Sequence, residues 1–208
     1  MRVLVACEYS GVVRSAFRKL GHDAWSCDIL PADDGSPYHF QSDVLDVLEL
    51  KNQWGEGWDL MIAHPPCTYL SRAGARWLYP KGELNDERYG KLLEGKKFFM
   101  DLMNADIPKI AIENPTPFKV AELPPYSQVV QPYGFGDPYT KRTLLWLKGL
   151  PVLTNTNEVD PQGSWLPSNT SGFRKGQKSS KGVAKNASLY SRTFQGIADA
   201  MADQWGSE

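Results

Sequence analysis

The sequence predicts an α/β protein, a doubly wound sheet with helices on both faces, and three observations predict it. Short apolar runs alternate with stretches of helical spacing through residues 1–150. The runs are too apolar for surface strands and read as buried ones. Polar residues (Glu8, Asp28, the corner from His64 to Cys67, and Glu113) punctuate their carboxyl ends, which is where open α/β sheets bind ligands.

Taken in order, Val3–Cys7 reads as the first core strand. Val12, Val13, Ala16, Phe17 and Leu20 then fall at helical spacing, and Gly21 stands where a C-cap glycine belongs. Ala24–Ile29 reads as a second strand that turns polar at Asp28. Asp59–Ala63 is a third, stopped by His64-Pro65-Pro66. Asp86–Ala105 is the longest predicted helix, with Leu92, Leu93, Phe98, Phe99 and Leu102 on its apolar face. Ile107–Ile112 and Thr143–Leu147 are further strands. Residues 1–150 thus form the expected core. Residues 151–190 are rich in Gly, Ser, Asn, Thr and Pro and predict a short irregular insertion. Residues 191–208 recover helical spacing at Phe194, Ile197, Ala198, Met201 and Trp205, and predict a last helix that packs back on the core.

A chain of 208 residues with a formal charge of −1 is not a uniformly basic nucleic-acid binder. Its charge is unevenly spread. No acidic residue lies between Asp160 and Asp199, where Arg174, Lys175, Lys178, Lys181, Lys185 and Arg192 fall. That segment suits a phosphate backbone or is a solvated loop. The three cysteines, Cys7, Cys27 and Cys67, lack the paired spacing of a zinc site or a disulfide framework, and His22, His39 and His64 are not spaced as metal ligands. No bound metal is expected. No apolar run is long enough to cross a bilayer and no leader pattern is present, so the expected location is the cytoplasm.

Two prolines before Cys67 force a rigid, extended exit from the third strand. Cys67 is therefore either a small apolar gap filler or a thiol presented at the sheet's carboxyl edge. Glu113, at the end of a buried strand, either caps a turn before Pro115 or has chemical work. Arg142 opens a strand after the turn Tyr133-Gly134-Phe135-Gly136-Asp137-Pro138.

Taken together, Pro65-Pro66-Cys67, Glu113-Asn114-Pro115 and Lys141-Arg142-Thr143 resemble, in order and spacing, the core motifs of the cytosine C5 DNA methyltransferases. Ser71, Ala73 and Gly74 resemble the residues that follow that family's Pro-Cys. The resemblance runs to about Leu150 and resumes at Ser191–Ala202, and what it resembles is a small, phage-like member. It implies a Rossmann-like methyltransferase fold and methyl transfer from S-adenosylmethionine to C5 of cytosine. Cys67 would add to C6 of the base, Glu113 would hold or protonate N3 and the exocyclic amine, and Arg142 would contact O2. The donor site would comprise Glu8, Tyr9, Gly11, Asp28, Ile29, Asp43, Val44 and Pro65. Within it Asp28 would hold the ribose hydroxyls, and Asp43 would meet the adenine amine or cap a helix. Ser71 and the basic residues Arg174, Lys175, Lys178, Lys181 and Lys185 would contact DNA, either a duplex with a flipped cytosine or a single strand. A monomer is expected.

The chain departs from the family in three places. Only Gly11 remains of the glycines usual in the first loop, Thr140 stands at the first of the two arginines usual around the strand that Arg142 opens, and residues 151–190 are few for a target-recognition region. Two alternatives follow: the same chemistry on a free cytidine nucleotide or with another sulfonium donor, or a catalytically silent relative that binds nucleic acid. A dinucleotide-dependent dehydrogenase is excluded because no G-x-G-x-x-G follows the first strand. A zinc deaminase is excluded because Cys67 has no second cysteine three residues on.

Overall fold

The computed structural model describes residues 1–54, 57–166, 189 and 191–207. Residues 167–188, which include Arg174, Lys175, Lys178, Lys181 and Lys185, lie outside the described residues.

The elements follow one another as β1 (Arg2–Ala6), α1 (Val12–Lys19), β2 (Asp23–Asp28), β3 (His39–Gln41), α2 (Val44–Trp54), β4 (Leu60–Ala63), α3 (Asp86–Met103), β5 (Lys109–Asn114), β6 (Gln128–Val130), β7 (Tyr139–Thr140), β8 (Thr143–Lys148), β9 (Gly163–Ser164) and α4 (Gln195–Gly206). A seven-stranded sheet has the order β3-β2-β1-β4-β5-β8-β6, and β7 and β9 form a separate parallel pair. From β3 to β5 the strands are parallel. β8 runs antiparallel to both β5 and β6.

Alternation along the strands explains the layers. On β1, Val3 and Val5 face one side and join Phe17, Ile197, Met201 and Trp205 of α1 and α4. Leu4 and Ala6 face the other and join Val44, Val47, Leu92, Phe99 and Leu102 of α2 and α3. Both faces of the central strands are covered, as parallel sheets require, and the protein is the doubly wound α/β fold that the sequence predicts. The last helix docks closely at its first turn, where a side chain on Gly196 would collide with the Phe135 carbonyl.

The long, strongly patterned elements fall within a few residues of their expected bounds. β3, β6, β7 and β9 carried no expectation, and of α2 only a possible cap at Asp43 was expected. These four strands have two or three residues each, too few to show a period. Strand spacing alone also left β8's antiparallel direction open.

Candidate active site

The strand order reverses between β1 and β4. The chain leaves β1 toward β2 and returns to β4 on the other side, so the loops after these two strands diverge and leave a crevice. Cys7 ends β1 in the left-handed region, with φ 58°, and Glu8 N–H then donates to Cys27 O at 3.1 Å. The loop after β4 carries His64 to Cys67, and β5 ends at Glu113-Asn114.

Residues Ala63 and Ile112 are register partners on β4 and β5, so the next pair along is His64 and Glu113. Their side chains meet: His64 Nδ1 donates to Glu113 Oε2 at 2.7 Å, with exposures of only 11% and 13%. Burial works against the Glu113 carboxylate, but Lys141 and His64 more than offset it and hold its pKa below the ordinary value. Burial also works against a charged His64, yet the hydrogen bond and charge of Glu113, with Glu8 behind it, raise its pKa above the ordinary value against Lys141. The two form a buried ion pair. Cys67 is half-buried; burial first and the Glu113 charge second push its thiol pKa up, while Lys141 pulls it down.

The loop that carries Cys67 is fastened to the end of β5. Asn114 Nδ2 donates to Pro65 O at 2.9 Å. The amides of Leu70 and Ser71 both donate to Cys67 O. Ser71 then bridges Pro117, Arg72 N–H donates to Thr116 O, and Phe118 N–H donates to Leu70 O. Arg88 on α3 reaches back to Thr68 O at 3.1 Å and lies over the Tyr69 ring. Gly74 must be small here, because a Cβ would stand 2.8 Å from the Thr68 carbonyl oxygen. The loops that carry Cys67 and Glu113 therefore form one unit.

Asp28 ends β2 and its carboxylate accepts from Leu30 N–H at 2.9 Å. Beside it Ile29 is 73% exposed, an apolar surface next to a carboxylate. The Asp43 carboxylate accepts from Leu45 N–H at 2.9 Å and so caps α2. Val44 is a core residue on the face covered by α2 and α3. Pro65 is buried. Tyr9 lends its carbonyl to Asp33 N–H at 2.9 Å.

Glu8 is buried and turned into α1, where its oxygens accept from Val13 N–H at 2.7 Å and Arg14 N–H at 3.2 Å. Gly11 has φ +70°, and a Cβ there would strike the Arg14 guanidinium. That buried guanidinium pairs with Asp34 and donates to Ser26 Oγ at 2.8 Å. The space that several glycines would leave open is thus partly filled by Arg14.

Arg142, expected at the base, is not brought beside Glu113. Glu113 pairs with Leu145, so continued alternation puts Lys141 and Thr143 on Glu113's face and Arg142 on the opposite one. There its guanidinium meets Tyr126, with Nη2 3.4 Å from the hydroxyl oxygen. Lys141 is the cation that acts on Glu113, His64 and Cys67. Ser71 is buried in the bridge to Pro117.

Sequence reasoning undervalued His64, Lys141 and Asn114. The signal for His64 was available: two apolar strands that both turn polar, one at His64 and one at Glu113, bring these residues side by side if the strands are neighbours in register. The choice between Lys141 and Arg142 needed the pairing of β8 with β5.

No protein-family model matches the chain, and no curated protein is significantly similar to it. Among solved structures, the chain is similar to a DNA modification methyltransferase encoded within an Escherichia coli prophage, with 17% identity over 77% of this chain and 52% of that one and a TM-score of 0.49. It is also similar to a mutant of Spodoptera frugiperda DNMT2, with 15% identity over 76% and 54% and a TM-score of 0.42. A third is the Entamoeba histolytica methyltransferase EhMeth, with 13% identity over 79% and 57% and a TM-score of 0.40. The chain spans about half the length of the structures it matches.

Proposed function

We propose that this chain transfers a methyl group to C5 of cytosine in DNA, through a covalent bond between Cys67 and C6 of the base. The observation that carries this reading is the fastening of the half-buried Cys67 thiol beside an ionised Glu113, at the crevice where the strand order reverses. S-adenosylmethionine, when bound, supplies an electrophilic methyl carbon. Asp28 and exposed Ile29 are suited to its adenosine half, and the turn from Glu8 to Gly11 would meet its amino-acid end.

The protein's own residues account for the steps. Glu113 receives the N3 and amine edge of the base. Cys67 sulfur bonds to C6 as its thiol proton is given up. The C5=C6 electron pair shifts toward N3, which takes up a proton, so no net proton is gained or lost. C5 is then electron-rich and takes the methyl carbon. The C5 proton leaves to solvent, the S–C6 bond breaks with its electrons returning to sulfur, and N3 gives its proton back. Lys141 supplies positive charge where the thiolate and the ring charge develop.

The test is nucleoside mass spectrometry after incubation with S-adenosylmethionine and duplex DNA, single-stranded DNA or deoxycytidine monophosphate. Methylcytosine should form with a DNA substrate and be lost in Cys67→Ala. An equally active Cys67→Ala chain would sink the covalent mechanism. Product from the mononucleotide alone would move the substrate to free nucleotides.

A further inference from the structure

His64 stands where a bare chain turn would serve to lead into Pro65-Pro66-Cys67, yet it is buried against the carboxylate of the neighbouring strand. We propose that His64 is a positioning residue for the base: its Nδ1–H holds Glu113 Oε2 and so presents the other oxygen, Oε1, to the N3 and amine edge of an incoming cytosine. The proposal rests on the reading of Glu113 as the base-binding carboxylate.

Three observations carry it. The contact is short, at 2.7 Å, and both side chains are largely buried, so its geometry is held by packing on every side. Only Oε2 of Glu113 has a hydrogen-bond partner among the described residues, which leaves Oε1 for a ligand. The far nitrogen of His64, Nε2, is buried and also meets no partner among the described residues. Of its two nitrogens, then, the ring spends one on Glu113. The charged and titratable groups acting on His64 are Glu113 from β5, Glu8 from the loop after β1, and Lys141 before β8, with Cys67 nearby on its own loop. The two carboxylates outweigh Lys141, so His64 stays an imidazolium past its ordinary range. Its charge is lost only as pH rises through that raised value.

The consequence is an alkaline limb in kcat that belongs to His64. His64→Asn keeps an amide N–H near the Nδ1 position but cannot titrate, whereas His64→Ala removes the holder. With S-adenosylmethionine and a cytosine-containing single-stranded oligodeoxynucleotide, His64→Ala should lower kcat by roughly tenfold to a hundredfold, the scale of a misplaced reacting group, with a smaller change in KM. His64→Asn should recover part of the loss and lack the alkaline limb. Wild-type kcat in His64→Ala, or the same alkaline limb in His64→Asn, would overturn the proposal.

An activity-free measurement separates this proposal from the reading beneath it. The chain has three histidines, so nitrogen-detected titration of the imidazoles resolves His64, assigned by its loss in His64→Asn. Its midpoint should fall in Glu113→Gln. If wild-type protein makes no methylcytosine and the midpoint still falls, the methyl-transfer reading fails while the hold on Glu113 stands. An unchanged midpoint overturns the positioning role whatever the activity.

Discussion

A carboxylate buried at a strand end is costly unless cations meet it, and Glu113 has two, one of which it shares with the nearby thiol. Removing its charge should therefore be felt at Cys67. Glu113→Gln takes away a negative neighbour that raises the thiol's pKa, so alkylation of Cys67 by iodoacetamide at pH 8 should be faster in that variant than in wild type. The ion pair also has a pH window. The depressed Glu113 contributes stability that is complete above its ordinary value of 4.5 and lost as pH falls through its lower folded value. The raised His64 contributes stability that is complete below 6.5 and lost as pH rises through its higher folded value. Both contributions are in full force between about pH 4.5 and 6.5. The stability gap between wild type and Glu113→Gln, measured by urea unfolding, should be widest there. Asn114 holds Pro65 O from a buried position, and Asn114→Ala should cost about 1–3 kcal/mol in the same experiment. Cys67 and Glu113 were legible as residues because prolines and a strand end mark them. Lys141 was not, because parity along β8 means nothing until its partner strand is known.

At the scale of elements, α1 begins without a capping side chain from its own N-cap, Gly11. Glu8, several residues earlier, supplies the cap and fills the position with negative charge. Glu8→Ala should leave a buried amide without its acceptor and destabilise the fold by about 1–3 kcal/mol, measured by thermal and urea unfolding. Gly11→Ala combines a positive φ with a clash against Arg14 and should be worse than the same change at Gly21, which also has positive φ but has open space around it. The strands of five or more residues and the helices α1, α3 and α4 could be read from periodicity because burial selects their apolar residues turn by turn. β3 and β6, at three residues each, are held by neighbours distant in sequence, and no local pattern announces them. The loop after Cys67 is a similar case. Its order comes from the Ser71–Pro117 bridge and Arg88, both contacts across the fold.

For the molecule as a whole, near-neutral net charge hides a local imbalance. Residues 64–82 contain Arg72, Arg76 and Lys81 and no acidic residue. Within that stretch Leu78 is buried, and it turns its neighbours Trp77 and Tyr79 outward, at 55% and 43% exposure. The Arg76 guanidinium lies over the Trp77 ring. Exposed rings beside cations, one loop from Cys67, suit the bases and phosphates of a nucleic-acid strand. Trp77→Ala and Tyr79→Ala should each weaken binding to a single-stranded oligonucleotide by about 1–3 kcal/mol and leave the unfolding temperature unchanged. Equal affinity in both variants would remove this surface from the binding account. The packing of the last helix on the core was legible from its spacing, but its neighbours were not. Phe194 meets Trp165 and Tyr139, rings brought in from two other segments. Trp165 also donates its indole N–H to Leu189 O at 3.1 Å. Trp165 and Leu189 therefore lie side by side. That junction is a natural splice port. Because the entropy of closing a loop grows only slowly with its length, a guest module with adjacent termini should be accepted between residues 166 and 189 without pulling apart the loops that carry Cys67 and Glu113.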